Sequence, residues 1–447
     1  MSTINAANLE LQLVQKINST TNELELLALS VALRQLQNGA VFVVENYANL
    51  PSAAANVGNL FFVVADARLY VSDSVKGWVS LTVDLDVGKV YAWGRNTNGE
   101  LGDNSVTVRS SPVTTAGGGT NWCVVSSGLI HTSAVKTDGT LWAWGAGVAG
   151  RLGNNSTLTQ SSPVQAAGTN ELWCSVSAGG AHSTAVKTTG TLWTWGCNTY
   201  GQLGESSVVA RSSPGQTTGT GNTWCQASAG RFLTAAVKTD GTLWTWGANN
   251  TGQLGNSNTI SRSSPGQTTG AGTTWCQVSA SILHSAAVKT DGTLWTWGCN
   301  NGGQLGNSNT ISRSSPGQTC GLGTTWCAAS MGNAHSAAVK TDGTLWTWGY
   351  NSSGQLGDGT VAASSSPVTT AGGGTNWCAV SASQAQHSAA VKADGTLWTW
   401  GYNACGILGS GMAANRSSPG TTSGCGSNWC SASVNACNTT AIQAGNF

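Results

Sequence analysis

Apolar and polar positions alternate with a period of two in short runs along most of this 447-residue chain, broken by Gly, Asn, Asp, Ser and Thr. That period puts one face of each run in a core and predicts β-strands. The runs themselves recur. Trp-x-Trp-Gly stands six times and Tyr91-Ala92-Trp93-Gly94 is a seventh copy, the shared tryptophan falling at Trp93, Trp144, Trp195, Trp246, Trp297, Trp348 and Trp400, at a step of 51 residues five times and then 52. A fixed period of this size means one supersecondary unit stacked on itself, because a single unit cannot bury its own apolar face.

The unit that begins at Trp275 shows the strand pattern. Trp275 to Ala280 is followed by His284 to Lys289, then Asp291-Gly292, then Thr293 to Gly298. Asp-Gly between alternating runs predicts a tight hairpin with both central residues at positive φ. Gly303 to Gly306 (Gly-Gln-Leu-Gly) leads to Arg313-Ser314-Ser315-Pro316. Proline lacks an N–H and suits an edge strand, so Pro316 is expected to start the outermost one. Four strands make one propeller blade, and seven blades close a ring with no exposed sheet edge. The chain ends are complementary halves of one unit. Lys89 to Gly94 has no Trp-Cys strand before it, whereas Trp429 to Ser433 and Thr439 to Gln443 have no Trp-x-Trp strand after them. The last blade is therefore expected to be composite.

Before the repeat the pattern changes twice. Leu24, Leu27, Val31 and Leu26, Leu29, Leu33, Leu36 form two adjacent stripes at helical spacing. Such a wide stripe needs a helical partner, so residues 1–38 are expected to form a helical attachment region that assembles a homo-oligomer, a trimer. Residues 39–86 carry short β-runs at Val41 to Val44, Leu60 to Val64, Arg68 to Ser72 and Trp78 to Leu81, a small hairpin-rich module. The expected fold is mainly β: a seven-bladed β-propeller over 87–447 behind a small N-terminal helical plus β-hairpin module.

Composition narrows the partners. Asp, Glu, Lys and Arg make up 8% of the chain and its net charge is +1, against about 25% charged residues in ordinary domains. Nucleic acid needs a basic surface and is not expected as a partner. No apolar stretch reaches the roughly 20 residues of a membrane span, so no membrane insertion is expected. No signal peptide is visible, which implies synthesis in a cytosol. A weakly ionic surface meets its partner by hydrogen bonds and aromatic contact, with weak salt dependence.

The polar residues follow the repeat. Of thirteen cysteines, seven stand in Trp-Cys pairs from Cys123 to Cys430. Ring-equivalent positions are too far apart to bridge, and these cysteines read as small buried apolar residues. Cys320 with Cys327, and Cys425 with Cys430, remain open as local bridges. All five histidines (His131, His182, His284, His335, His387) share one position, which Leu233 and Asn438 fill in the other two units. A strand-end hydrogen bond in each blade accounts for them better than catalysis or metal. Lys136, Lys187, Lys238, Lys289, Lys340 and Lys392 form a similar ring, followed in five units by Asp138, Asp240, Asp291, Asp342 and Asp394, and read as a solvated face with local Lys–Asp pairing. Arg109, Arg211, Arg262, Arg313 and Arg416 precede Ser-Ser-Pro and are candidate binding residues for acidic glycans. No nucleophile–base pair, paired acids or phosphate loop breaks the repeat, so no enzymatic activity, catalytic residue, cofactor or metal is expected.

The phrase from His284 to Gly306, repeated from His335 to Gly357, resembles the repeat of the regulator of chromosome condensation family and implies a seven-bladed propeller. The founding member's roles, nucleotide exchange on a small GTPase and chromatin binding, are not implied here, because the 51-residue step leaves no room for an inserted wedge and there is no basic tail. A light-sensing member carries Trp before the histidine; Gly180-Ala181-His182 and Ile282-Leu283-His284 do not. A second resemblance covers Tyr47 to Pro51, Leu60 to Val64 and Arg68 to Asp73, and is to a module of bacteriophage tail-fibre and virion proteins. It implies a virion structural protein. Residues 1–86 would then contact other virion proteins, and the propeller would bind a host cell-surface receptor or glycan. The alternatives are a cellular protein-interaction propeller such as a GTPase regulator, or a lectin.

Overall fold

Period-two patterning produces, among the described residues, 32 strands in eight four-stranded sheets in the computed structural model. The structure describes residues 41–44, 60–63, 68–73, 77–81 and 88–443, apart from 118, 169–171, 219–220, 270–271, 321–322, 373, 424–425 and 436. The expected helix in 1–38 lies outside the described residues. In the N-terminal unit, β1 (Val41–Val44), β2 (Leu60–Val63), β3 (Arg68–Asp73) and β4 (Gly77–Leu81) form one sheet in chain order. β2–β3 and β3–β4 are antiparallel, but β1 pairs with β2 in parallel, so this module is not hairpins throughout.

The propeller forms a separate unit that begins at Gly88. Its blades are four-stranded antiparallel sheets, with strands lettered A to D from the centre outward. Blade 1 is β7 (Trp122–Ser127), β8 (His131–Lys136), β9 (Leu141–Gly145) and β10 (Gln160–Gln165). Blades 2 to 6 repeat it from Trp173, Trp224, Trp275, Trp326 and Trp377. Blade 7 is composite: β31 (Trp429–Asn435) and β32 (Asn438–Gln443) come from the end of the chain, β5 (Lys89–Gly94) and β6 (Arg109–Thr114) from the start. β32 pairs with β5 over six residues, Asn438 to Gln443 against Gly94 to Lys89. The A strands touch their neighbours around the whole ring, β31 against β7 included.

Each interface between blades has its own core. The C-strand tryptophans, Trp93 and Trp144 among them, are fully buried and meet an A-strand tryptophan edge-on at about 6 Å, as Trp144 meets Trp122 at 5.9 Å. The last glycine of Gly-x-Leu-Gly is needed for that contact. A Cβ on Gly102, which has φ +69°, would sit 2.8 Å from Trp144 Nε1.

Four local expectations are corrected. The Asp-Gly hairpin is present, but only the glycine has positive φ: Gly139 N–H donates to Lys136 O and Lys136 N–H to Thr140 O, a type I turn with a glycine bulge. Asp138 instead accepts from Thr140 N–H and Oγ1. Pro316 lies inside β22 (Arg313–Gln318), where pairing with β21 (Leu294–Gly298) is interrupted and no ladder bond is lost. The lysines are not a solvated face. Lys136 Nζ stands 4.8 Å from the Trp122 ring and 4.6 Å from the Trp142 ring, and five other blades repeat the stack.

The Trp-Cys cysteines are exposed rather than buried, because alternation turns the residue after a buried tryptophan outward. Cys123 Sγ donates to Val135 O at 3.3 Å, and its partial cover by the blade pushes the thiol up to about 11. Cys320 and Cys327 are free thiols and do not bridge each other; Cys425 lies outside the described residues. Dithiothreitol is therefore expected to leave the thermal midpoint unchanged. A fall of several degrees on reduction would contradict this expectation.

Candidate functional site

Three hydrogen bonds stitch every blade to the next. An A-strand serine accepts from a backbone N–H one blade on, as Ser126 Oγ does from Ala178 at 2.9 Å; the seventh such bond runs from Ser127 N–H to Ser433 Oγ across the ring closure. The C-strand Trp Nε1 donates back to a carbonyl of the preceding blade, as Trp195 does to Arg151 O at 2.9 Å. A B-strand hydroxyl donates to that same carbonyl, as Ser183 Oγ does at 3.0 Å.

The histidines join this stitch. His131 Nε2 lies 2.9 Å from Ser183 Oγ, His182 Nε2 2.8 Å from Thr234 Oγ1, and His284, His335 and His387 repeat the contact. The bond crosses to the next blade instead of staying within one. Each hydroxyl already gives its proton to the carbonyl, so the imidazole must donate from Nε2. Nδ1 is left unprotonated, and in His131, His182, His284 and His387 it is buried without a partner. Burial pushes His182, His284 and His387 down to about 3 and His335 to about 4, with His131 also far below its ordinary value. Arg151 adds repulsion at His131 and His182. A His–Ser pair at 2.9 Å has the distance of a catalytic dyad, but both side chains are fully buried and the hydroxyl proton is committed. Among the described residues no group of three His, Cys, Asp or Glu could hold a metal ion.

The five arginines before Ser-Ser-Pro stand on five separate blades at the start of the outer strand. Arg109 pairs with Asp103 and Arg211 with Glu205, both at 3.0 Å, and both side chains are about two-fifths exposed. The guanidinium groups of Arg262, Arg313 and Arg416 fold back over Gly266, Gly317 and Gly420. The ring spreads them apart instead of bringing them to one site.

What differs between units lies on one face. Antiparallel pairing puts the A–B and C–D loops on one face, here the upper, and the B–C hairpins on the other. The middle of each A–B loop departs from the repeat: Leu129-Ile130, Gly180-Ala181, Arg231-Phe232, Ile282-Leu283, Asn333-Ala334 and Gln384-Ala385-Gln386. Apart from Gly180 these residues are partly exposed. The scaffold does not dictate them, since the other units fold with different ones. Blade 1 departs again where Arg151 replaces the glutamine of Gly-Gln-Leu-Gly. That glutamine ordinarily accepts a backbone N–H, as Gln202 does from Tyr200 at 2.9 Å. Arg151 cannot, and instead donates from Nε to Val148 O at 2.8 Å and from Nη1 to Gly180 O at 3.3 Å. Arg231 stands over Phe232 at 5.1 Å, and Phe232 packs on Tyr200 at 5.2 Å. Sequence reading passed over Arg151 and Arg231 because they break the repeat instead of forming one. The signal was the departure itself.

The chain matches the family model described as RCC1-like domain over residues 62–318, and that of the regulator of chromosome condensation (RCC1) repeat over 326–355 and 377–407. It is 31% identical over 340 residues to the ultraviolet-B receptor UVR8 of Arabidopsis thaliana, covering 74% of this chain and 76% of that one. It is also 31% identical over 292 residues to the human E3 ubiquitin-protein ligase HERC2, covering 63% of this chain but 6% of that protein. Among solved structures, Prp20p from Saccharomyces cerevisiae, described with its binding to Gsp1p and histones, superposes with a TM-score of 0.73 at 18% identity, covering 81% of this chain and 94% of that one. The expectation of a bacteriophage virion protein located in the virion is overturned, since these relatives are cellular proteins of plants, animals and yeast. The virion-like motifs spanned a short part of the chain. The neutral, Ser/Thr/Gly-rich composition that supported them comes from the stitched repeat itself, which uses hydroxyls and glycines where most domains carry charge.

Proposed function

Because the chain belongs to the RCC1-like domain family, we propose that its propeller is a non-catalytic platform of a cellular protein, binding a protein partner on the upper face. The observation that carries this reading is the concentration of difference. Units that share their stitches, tryptophans and hairpins diverge in the A–B loops, where partly exposed Leu, Ile, Phe and Arg side chains surround the centre of the ring. Large partly exposed apolar and arginine side chains are the residue types that anchor protein interfaces. On the lower face a groove between blades 3 and 4 is lined by the stacked Lys238 and its Asp240-Gly241 turn, a Lys-x-Asp-Gly segment that four other units carry. Chemical cross-linking of the full chain in a cell extract, read by mass spectrometry, tests the proposal. Partner cross-links are expected beside the A–B loops, and the double variant Arg231→Asn/Phe232→Ala should lose the partner. Cross-links confined to the B–C hairpins would overturn it.

A further inference from the structure

The low overall charge conceals an uneven distribution. From residue 88 onward there are fifteen Lys and Arg against ten Asp and Glu, so the propeller is cationic although the whole chain is nearly neutral. The lower-face lysines are stacked between indoles near turn aspartates. On the upper face the outer Arg109 and Arg211 have carboxylate partners. Arg95 holds Glu100 at 3.2 Å and donates to Leu129 O at 3.1 Å. Among the described residues, Arg151 and Arg231 have no carboxylate partner.

These two arginines border the same small loop. Gly179-Gly180-Ala181 is the A–B loop of blade 2 and carries the smallest side chains of the described A–B loops. Arg151 Nη1 donates to Gly180 O, and a Cβ on Gly180 would come within 2.6 Å of Arg231 Cγ. Among the described residues, Arg151 Nη2 and the Arg231 guanidinium make no hydrogen bond to protein, while the Arg231 backbone N–H donates to Ser281 O at 3.2 Å. Gly180 is thus buried against the Arg231 stem, with the largely buried Arg151 guanidinium held at its carbonyl. Next to it stand Phe232 and Tyr200, the latter 40% exposed. A guanidinium largely removed from water without a counter-ion is an expensive arrangement unless an anion arrives to complete it.

We propose that Arg151 and Arg231 seat the carboxylates of an acidic segment of the protein partner over Gly180, with an aromatic or apolar side chain of that segment resting on Phe232 and Tyr200. The proposal rests on the upper face being the partner surface. Planar guanidinium groups match carboxylates in a bidentate manner, and the aromatic pair supplies the apolar contact. Steering should then depend on salt, contrary to what the average composition implied, because the attraction comes from a local unpaired cluster.

The chain supplies its own conservative replacements. Arg151→Gln restores the residue that four other units carry, and Arg231→Asn takes the residue of Asn333. Both variants are expected to fold with the wild-type thermal midpoint. The probe is a fluorescent, terminally blocked Glu-rich peptide carrying one Phe, titrated into the full chain and followed by anisotropy. The wild type should bind saturably and release the peptide as salt rises. Arg151→Gln/Arg231→Asn should weaken binding by roughly tenfold or more. Lys89→Gln, on the opposite face, should change nothing. Equal binding by the double variant, equal loss in Lys89→Gln, or preference for a Lys-rich peptide or an oligothymidylate would overturn the assignment. A partner cross-linked at the A–B loops yet indifferent to both arginines would overturn this inference and leave the platform reading intact. Cross-links on the lower face would remove both.

Discussion

Lowering the pH from 7 to 5 is expected to unfold the propeller at room temperature. His182, His284 and His387 are pushed down by burial from 6.5 to about 3, and His335 to about 4. The unfolded chain takes up these protons near pH 6.5, whereas the folded chain refuses them until near 3 to 4. Stability is therefore full above about pH 6.5 and falls as the pH drops through the window from 6.5 to 3. At pH 5 each such histidine opposes folding by about 2 kcal/mol, since one pKa unit is worth about 1.4 kcal/mol. These four together approach about 8 kcal/mol, comparable to the whole stability of an ordinary domain, and buried His131 acts in the same direction. No rearrangement within the stitch relieves the cost, because the Nδ1 atoms have no acceptor to receive a new proton. Circular dichroism against pH should show a cooperative loss between pH 6 and 4. His284→Leu, which copies Leu233, should move the midpoint toward acid. A propeller that keeps its melting temperature down to pH 4 would contradict the reading of the histidines as neutral, buried stitches.

Removing the last strand should be nearly as damaging. β32 is hydrogen-bonded to both β31 and β5, and Thr439 Oγ1 and Trp93 Nε1 converge on Ile407 O, each at 2.9 Å. Ala441 and Ile442 are buried, the second in a cluster with Val90, Trp122 and Trp144 of the opposite chain end. Deleting residues 439–447 leaves β5 and β31 with open edges and an emptied core at two interfaces, a combination in the several-kcal/mol class. The melting temperature should fall by roughly 10 °C or more. A deletion that melts like the full chain would mean that the ring does not depend on blade 7 for closure.

The fold was legible because the repeat is chemically monotonous. Trp-x-Trp-Gly, the Asp-Gly hairpins and the complementary ends led to the blade count, strand order and composite seventh blade. The direction of the polar contacts was not legible. The five histidines and the A-strand serines each recur at one position, but nothing in a linear pattern says that a side chain reaches the next blade instead of its own. The cysteines were misjudged because residue type was weighted above alternation: a residue following a buried tryptophan in a strand must face the other way. The proposed partner face is not legible in a linear pattern, where residues that repeat stand out, such as Arg109 and Arg211, which the structure separates onto different blades and pairs with their own Asp103 and Glu205. Arg151 and Arg231 are single departures, and only the fold brings both against Gly180.

The central claim is that a protein partner covers the A–B loops of the upper face. Amide hydrogen exchange of the full chain, with and without the cross-linked partner purified to homogeneity, measures this directly. Binding should protect amides at Leu129-Ile130, Gly180-Ala181 and Arg231-Phe232, and leave the hairpin glycines Gly139, Gly241 and Gly292 exchanging as before. Protection at those hairpins with none at the A–B loops would contradict the account.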